Sequence, residues 1–199
     1  INGKRESGFI MTYRITANTA AYMTCAPKIK NLAPGENKYK PKKFGQKPLK
    51  ENWLKAAARF LKGDSGSTTI ADISGWSGNA LVFNQKAFDI CAEHLEQLGE
   101  FLAIDAEGIP YYLFNTLYHV PDSMVDVSQS ELAESEGIAL GAKKLAFVEE
   151  RIDRTNPMLF KTHYDFGAGT FCTEKFKTLI EEHQLTGLLF GTDLAPLYD

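Results

Sequence analysis

Apolar and polar positions repeat one short pattern twice along the chain. Residues 83–105 (FNQKAFDICAEHLEQLGEFLAID) and residues 171–193 (FCTEKFKTLIEEHQLTGLLFGTD) align when one is shifted by 88 positions, so that Phe88 meets Phe176. In each copy a short apolar run precedes apolar residues at helical spacing, and a glycine and a second apolar run follow. The pattern predicts a duplicated strand–helix–strand unit.

Residues suited to helix ends flank both predicted helices. Asn84 is placed to act as the N-cap of the first helix, and Thr173 as that of the second. Gly99 and Gly187 stand where each helix is expected to stop. Cys91 lies on the apolar face of the first helix, which indicates a buried, reduced thiol.

The remaining segments predict mainly strands. Strands are expected at 11–16, 20–26, 79–83 and 108–120, and at 157–166 ahead of a glycine-rich turn. Apolar residues at helical spacing predict a third helix over 49–63, and the Lys- and Pro-rich stretch 28–48 predicts an irregular loop. Residues 143–152 (KKLAFVEERI) suit a helix or a strand, and Phe147 and Val148 favour the strand. We therefore expect one α+β domain over 1–199, with a mostly antiparallel sheet covered by about three helices.

Composition indicates a globular protein of the cytoplasm. Of the 199 residues 44% are hydrophobic and 24% charged, which excludes a largely disordered chain. No run approaches the roughly 18 apolar residues of a membrane span, and the opening INGKRESGFI lacks the core of a secretory signal. Residues 1–10 read as an extension outside the fold. The three cysteines are an odd number without metal-like spacing.

Charge is strongly segregated along the chain. The net charge is only −3, but residues 28–62 carry eleven basic and two acidic side chains. Residues 63–142 carry thirteen acidic side chains and a single basic one, Lys86. Acidic side chains in such number are expected on the surface, where they attract a basic partner and oppose nucleic acid.

Individual residues leave two alternative functions open, a small hydrolase and a nucleic-acid-binding accessory protein. His163 and Asp165, in THYDF, fall on the same side of a predicted strand, which suits acid–base chemistry, and Cys172 suggests a Cys/His hydrolase. The basic segment, with its interleaved aromatic residues, suits a nucleic-acid-binding accessory protein. His94 and His183 lack a second ligand at i+4, so we expect no metal site, and we expect no other cofactor.

Two longer stretches resemble a family of bacterial immunity proteins from polymorphic toxin systems, of the type first catalogued from a myxobacterial gene. The closing stretch TFCTEKFKTLIEEHQLTGLLF is similar to the family's strand–helix–GLTGLxF ending. The middle stretch GIPYYLFNTLYHVPDSMVDVSQSE is similar to its aromatic strand, with Tyr112 and Asn115, and to the Asp-rich loop that follows. The resemblance spans residues 70–193.

The resemblance implies a non-enzymatic antidote that binds a cognate toxin, often a nuclease delivered by contact-dependent or type VI secretion. The expected binding partner is the toxin, and neither a membrane nor a nucleic acid is expected as a partner. The sequence leaves the oligomeric state open. We expect the acidic loops to occlude the toxin's active site, with an aromatic side chain as anchor. The expected toxin-binding residues are Glu107, Asp122, Asp126, Glu131, Tyr118 and Trp76.

Overall fold

The structure, a computed structural model, describes residues 11–28, 44–76, 80–135 and 138–195. Within these ranges the protein is α+β, with three α-helices and mostly antiparallel sheets, as the sequence predicts. The helices are α1 (Gln85–Leu95), α2 (Glu149–Thr155) and α3 (Glu174–Glu182). The strands are β1 (Thr12–Ala17), β2 (Thr24–Pro27), β3 (Ala56–Leu61), β4 (Ile73–Trp76), β5 (Ala80–Phe83), β6 (Gly99–Ala106), β7 (Ile109–Thr116), β8 (Glu131–Ser135), β9 (Ile138–Lys144), β10 (Leu159–Phe160), β11 (Phe171–Thr173) and β12 (Leu188–Gly191).

The strands form three sheets. A six-stranded sheet has the order β2-β3-β6-β7-β5-β4, and only its β3–β6 pair is parallel. A four-stranded antiparallel sheet has the order β10-β11-β1-β12, and β8 and β9 form a separate hairpin. The long β6–β7 hairpin lies at the middle of the larger sheet.

The duplicated strand–helix–strand unit is confirmed. The first copy is β5–α1–β6 and the second is β11–α3–β12. In neither copy do the two flanking strands pair with each other. A third strand, antiparallel to both, lies between them: β7 in the first copy and β1 in the second. Each copy is therefore a split unit whose flanking strands run parallel to each other.

Both unit helices bury one apolar stripe against a common core. Ala87, Cys91 and Leu95 of α1 recur every four residues and are fully buried. Phe176 and Ile180 occupy the same positions on α3, and all five side chains belong to one hydrophobic cluster. The buried Cys91 is confirmed. The two copies thus stabilise each other through shared apolar burial.

The predicted helix ends are only partly confirmed. The Asn84 side chain caps α1 by accepting a hydrogen bond from the Ala87 backbone N–H at 2.8 Å. Thr173 stands at the N-cap of α3, but its hydroxyl donates instead to the Pro157 carbonyl at 3.1 Å. Gly99 does not end α1, because it is the first residue of β6. A side chain there would lie 2.3 Å from the Asn115 carbonyl oxygen, so close strand packing requires the glycine.

The helix predicted over 49–63 is wrong. This segment forms a single 3-10 turn at Lys50–Asn52 and then strand β3. Burial along β3 alternates: Ala58 is buried and Phe60 half-buried, whereas the residues between and beyond them are exposed. Pairing with β2 on one side and β6 on the other outweighs the helix preference of an Ala- and Lys-rich sequence.

The strand interpretation of 143–152 is also wrong for most of its length. Only Lys143 and Lys144 belong to a strand, β9. Phe147 makes an isolated bridge to Val125, and α2 then begins at Glu149. Two glutamates in the first turn of α2 favour the helix through its dipole.

Two predicted segments fall partly or wholly outside the described residues. The extension at 1–10 lies outside them, as do residues 29–43 of the predicted basic loop. Residues 44–47, at the end of that loop, form a turn. Among the described helices, none has the length and apolar character needed to cross a membrane.

Candidate partner-binding surface

The acidic side chains of residues 63–142 lie on the surface, as predicted. Glu136 is outside the described residues, and each of the other twelve is exposed or half-buried. Several of them hold the fold together through specific contacts. Asp105 pairs with Lys55 at 3.3 Å, and Asp72 pairs with Lys86 at 3.4 Å. The acids with fewer such contacts are the candidates for binding a partner.

Three acids lie together on the outer side of α1. Asp89, Glu93 and Glu96 follow one another at spacings of four and three residues, which places them on one face of the helix, and all three are exposed. We call this set the α1 acidic face. Within the described ranges neither Glu93 nor Glu96 has an ion-pair partner, while Asp89 accepts a hydrogen bond from the Gln85 amide at 2.7 Å.

A groove of about 400 Å³ runs between α1 and β6, beside the α1 acidic face. We call it the α1–β6 groove. Its aromatic side chains contact one another: Phe88 stacks on Tyr112 with ring centroids 3.8 Å apart, and Phe101 meets Phe88 edge-on at 5.0 Å. Glu93, Glu96 and Glu100 also line the groove, so carboxylates and aromatic rings face the same space.

Glu100 fixes one end of the groove. Its carboxylate accepts hydrogen bonds from the backbone N–H groups of Leu49 and Lys50, at 2.5 and 3.1 Å, and from the Asn115 side chain at 2.8 Å. These contacts hold residues 49–50 against β6 and bring Lys50 to the groove wall. The carboxylate of Glu100 thus already has hydrogen-bond partners within the fold. The carboxylates of the α1 acidic face have fewer such partners and are better placed to bind another protein.

Aromatic rings beside carboxylates favour a cationic side chain. A Lys or Arg over an aromatic face gains about 0.5–2 kcal/mol, and an adjacent carboxylate adds a charge-assisted hydrogen bond. The tyrosine of the stacked pair is held in place, because the Tyr112 hydroxyl donates to Gln85 at 2.9 Å. The surface is therefore suited to basic side chains of a protein partner.

The acids predicted from the loops are divided between two places. Asp122, Asp126 and Glu131 follow β7 within one segment, whereas Glu107 lies in the β6–β7 turn at the other end of that strand. The eight residues of β7 span roughly 26 Å, so Glu107 does not join the other three.

Two of these loop acids already have partners. Asp126 accepts hydrogen bonds from Ser128 and Gln129, which lower the pKa of its carboxyl group. Glu131 forms an ion pair with Lys143 at 2.8 Å.

The two predicted aromatic anchors have different environments. Trp76 is only 5% exposed and packs among buried residues such as Val82 and Leu102. A buried ring offers no surface to a partner protein, so the prediction for Trp76 is wrong. Tyr118 is half-buried against the cluster around Val120 and Phe147, and part of its side chain remains at the surface.

The residues of the hydrolase alternative do not form a catalytic pair. The strand predicted through His163 and Asp165 ends at Phe160, and both residues lie in a turn. Asp165 is buried and accepts hydrogen bonds from the backbone N–H groups of Gly167 and Gly169, at 3.0 and 2.7 Å. Cys172 is fully buried in β11, and burial holds the pKa of its thiol well above the ordinary value. His163 instead stacks on His119, with ring centroids 4.2 Å apart.

Lys161 is a notable residue that the sequence did not reveal. It is 2% exposed, and its ammonium donates to the carbonyls of Gly167 and Gly169, at 2.9 and 3.1 Å. Gly45 covers its stem so closely that a Cβ on Gly45 would lie 2.7 Å from the Lys161 Cδ atom. Burial lowers the pKa of Lys161 to about 8. One lysine within an apolar run gives no signal of such a role.

The α1–β6 groove was not predicted either, although the acid spacing on α1 was a usable signal. Its walls come from α1, β6, β7 and residue 50, which only the folded sheet brings together. Comparison of the sequence with known protein families and with curated proteins finds no match.

Proposed function

We propose that this protein is an immunity protein, which binds a cognate secreted bacterial toxin and blocks its active site or substrate groove without a reaction of its own. The observation that carries the proposal is a difference between the two copies of the repeated unit. Counted from the N-caps Asn84 and Thr173, the positions of Asp89, Glu93 and Glu96 correspond to those of Thr178, Glu182 and Leu185 in the second copy. The first set carries three negative charges, and the second set carries one.

Other charges on α3 pair with each other within the helix. Lys177 is paired with Glu174 at 3.2 Å and with Glu181 at 3.5 Å. An acidic face is therefore not required by the helix scaffold, because the same scaffold exists without it. The three carboxylates of α1 are best explained by a partner outside the fold.

The chemistry of the surface indicates the class of toxin. A nuclease presents a cationic groove to the phosphate backbone of its substrate. Carboxylates on a rigid helix can occupy the positions of those phosphates and accelerate association through long-range attraction. The Phe88–Tyr112 stack supplies apolar contact area beside them. A basic nuclease is thus the partner that this surface fits.

The resemblance to immunity proteins supports the same function, because residues 70–193 include both copies of the unit and the α1 acidic face. An antidote of this kind acts in the cytoplasm of the producing cell. Three cysteines without a disulfide among them are compatible with that reducing compartment.

Charge reversal on α1 tests the proposal. The variant with Asp89→Lys, Glu93→Lys and Glu96→Lys is expected to bind the toxin encoded by the adjacent gene on the order of 100-fold more weakly and to lose protection of cells. The repeated unit supplies a matched control. Glu181→Lys with Gln184→Lys, beside the native Lys177, creates three lysines at the same spacing of four and three residues on α3 and the turn that follows it, and we expect binding to persist.

Further variants separate this proposal from the alternatives. If Asp122→Lys with Glu131→Lys removes binding and the α1 variant does not, the partner uses the loops instead. A hydrolase would lose protection with His163→Ala or Cys172→Ser, which an antidote tolerates provided the variants fold. Retention of duplex DNA on a gel with steep salt dependence would favour the nucleic-acid-binding alternative.

A further inference from the structure

A cavity of about 410 Å³ lies where the two larger sheets meet. Its walls come from β1, β2, β4 and β5, together with Thr19, with Leu61 at the end of β3, and with Ala168 and Thr170, which precede β11. We call it the β1–β4 cavity. It is separate from the α1–β6 groove, with which it shares no lining residue. Its volume lies in the range of small-molecule sites, roughly 300–1,000 Å³.

One buried cation lines this cavity. Arg14 is 8% exposed, and with the described residues its guanidinium forms a single long hydrogen bond, from Nη1 to the Ala195 carbonyl at 3.4 Å. Its Nε has no hydrogen-bond partner among the described residues, and no described carboxylate approaches within ion-pair distance. Asp165 and Asp193 act on it only through longer-range attraction. A buried guanidinium with so few contacts is costly unless an anion compensates it.

The other residues that line the cavity indicate the chemical character of a ligand. Ile15, Leu61, Trp76 and Leu81 supply apolar surface, and the described lining residues include no acidic side chain. Trp76 is 5% exposed, and its indole N–H, like Arg14 Nε, has no acceptor in the described part of the chain. The polar groups left without partners are thus donors, and one of them carries a positive charge.

We infer that the β1–β4 cavity binds a small monocarboxylic acid with an apolar body. The carboxylate pairs with the Arg14 guanidinium, and the apolar body lies against Ile15, Leu61, Trp76 and Leu81. A cationic ligand is disfavoured, because Arg14 repels it and no carboxylate receives it. A neutral apolar ligand forms no ion pair with the guanidinium. The inference is independent of toxin binding, since it uses none of the α1 residues.

Titration calorimetry with the intact protein tests this site. Octanoate and phenylacetate serve as probes, and octanol and 2-phenylethanol are the matched neutral molecules. We expect saturable 1:1 binding of at least one acid and at least tenfold weaker binding of its alcohol. Arg14→Met is expected to reduce the affinity for the acid at least tenfold, to the level of the alcohol. Arg59→Met, which removes an exposed arginine of β3, is expected to leave it unchanged.

A second variant keeps the test decisive if Arg14→Met does not fold. Leu61 lines the cavity but is 41% exposed, so Leu61→Asp is tolerated by the fold and sets a like charge against the ligand carboxylate. It is expected to weaken binding of the acid at least tenfold and to change binding of the alcohol much less. The inference is overturned if neither acid binds, if alcohol and acid bind equally, or if both variants retain full affinity for the acid.

Discussion

Asp72 accepts two hydrogen bonds from Thr186, one from its backbone N–H and one from its hydroxyl, each at 2.9 Å. The same carboxylate accepts a hydrogen bond from the side chain of Asn84, the N-cap of α1, at 3.0 Å. Thr186 lies just after α3, so one carboxylate joins the start of the first unit helix to the end of the second. Burial raises the pKa of Asp72, but the hydrogen bonds together lower it below the ordinary value.

Loss of the Asp72 carboxylate is expected to loosen both copies of the unit. Asp72→Ala removes the carboxylate that accepts these three hydrogen bonds, and it should lower the free energy of unfolding by about 2–3 kcal/mol. Chemical denaturation measures this change, and Glu107→Ala, at an exposed turn, is the control with an expected change within about 0.5 kcal/mol. Because the folded pKa is lowered, the contribution of Asp72 is present above pH 3.8 and is lost as the pH falls through the folded value. Equal stability of the two variants would contradict the connecting role.

Gly187 is expected to tolerate no side chain. Its φ is 109°, and an added Cβ would lie 1.9 Å from the Ile73 carbonyl oxygen and 2.5 Å from the Ala71 Cβ. Gly187→Ala should therefore lower the free energy of unfolding by at least about 3 kcal/mol. Gly108 is the matched control, because its φ is 89° and nothing lies within 4 Å of an added Cβ. Gly108→Ala should cost about 1 kcal/mol from backbone strain alone. Similar losses in both variants would show that the close contact at Gly187 relaxes.

Lys161 predicts a specific dependence of stability on pH. Burial lowers its pKa from 10.5 to about 8, against an opposing attraction from Asp165. Between these two values the unfolded chain binds the proton that the folded chain has released, so stability rises with pH. Between pH 7 and pH 9.5 the free energy of unfolding should rise by about 2 kcal/mol relative to Lys161→Met.

The comparison with Lys161→Met cancels the titration of tyrosines and cysteines, which both proteins share. Denaturant unfolding at the two pH values provides the measurement. A constant difference between the two proteins would mean that Lys161 keeps an ordinary lysine pKa in the fold.

The three thiols are expected to be inert in the native protein. Cys25, Cys91 and Cys172 have no exposed surface, and burial raises the pKa of Cys25 and of Cys91 to about 12. Since the thiolate is the reactive form, a disulfide reagent at pH 8 should label none of them before unfolding and all three in denaturant. Rapid labelling of Cys172 in the folded protein would revive the hydrolase alternative.

Local signals were sufficient to predict the repeated unit. Asn84 caps α1 through a contact three residues away, and the stripe of Ala87, Cys91 and Leu95 needs only the helical period. The dense aromatic and β-branched run at 109–116 likewise forms β7. In each case the residues that determine the structure lie within one helix or one strand.

The errors arose where distant parts of the chain determine the outcome. Strand β3 exists because β2 and β6 flank it, and the six residues of β3 alone resemble a helix. Three helices were predicted and the described residues form three, but α2 replaces the one expected over 49–63. The α1–β6 groove depends on Tyr112 of β7 lying beneath Phe88, a contact that no local pattern indicates.

The position of β1 between β11 and β12 has a consequence for biosynthesis. Tyr13 of β1 donates a hydrogen bond to Glu174, 161 residues further along the chain. A ribosome therefore releases β1 long before either neighbouring strand has been made, whereas β5, α1, β6 and β7 emerge in direct succession. The first unit is expected to assemble during translation, and β1 must stay protected from non-native partners until the second unit emerges.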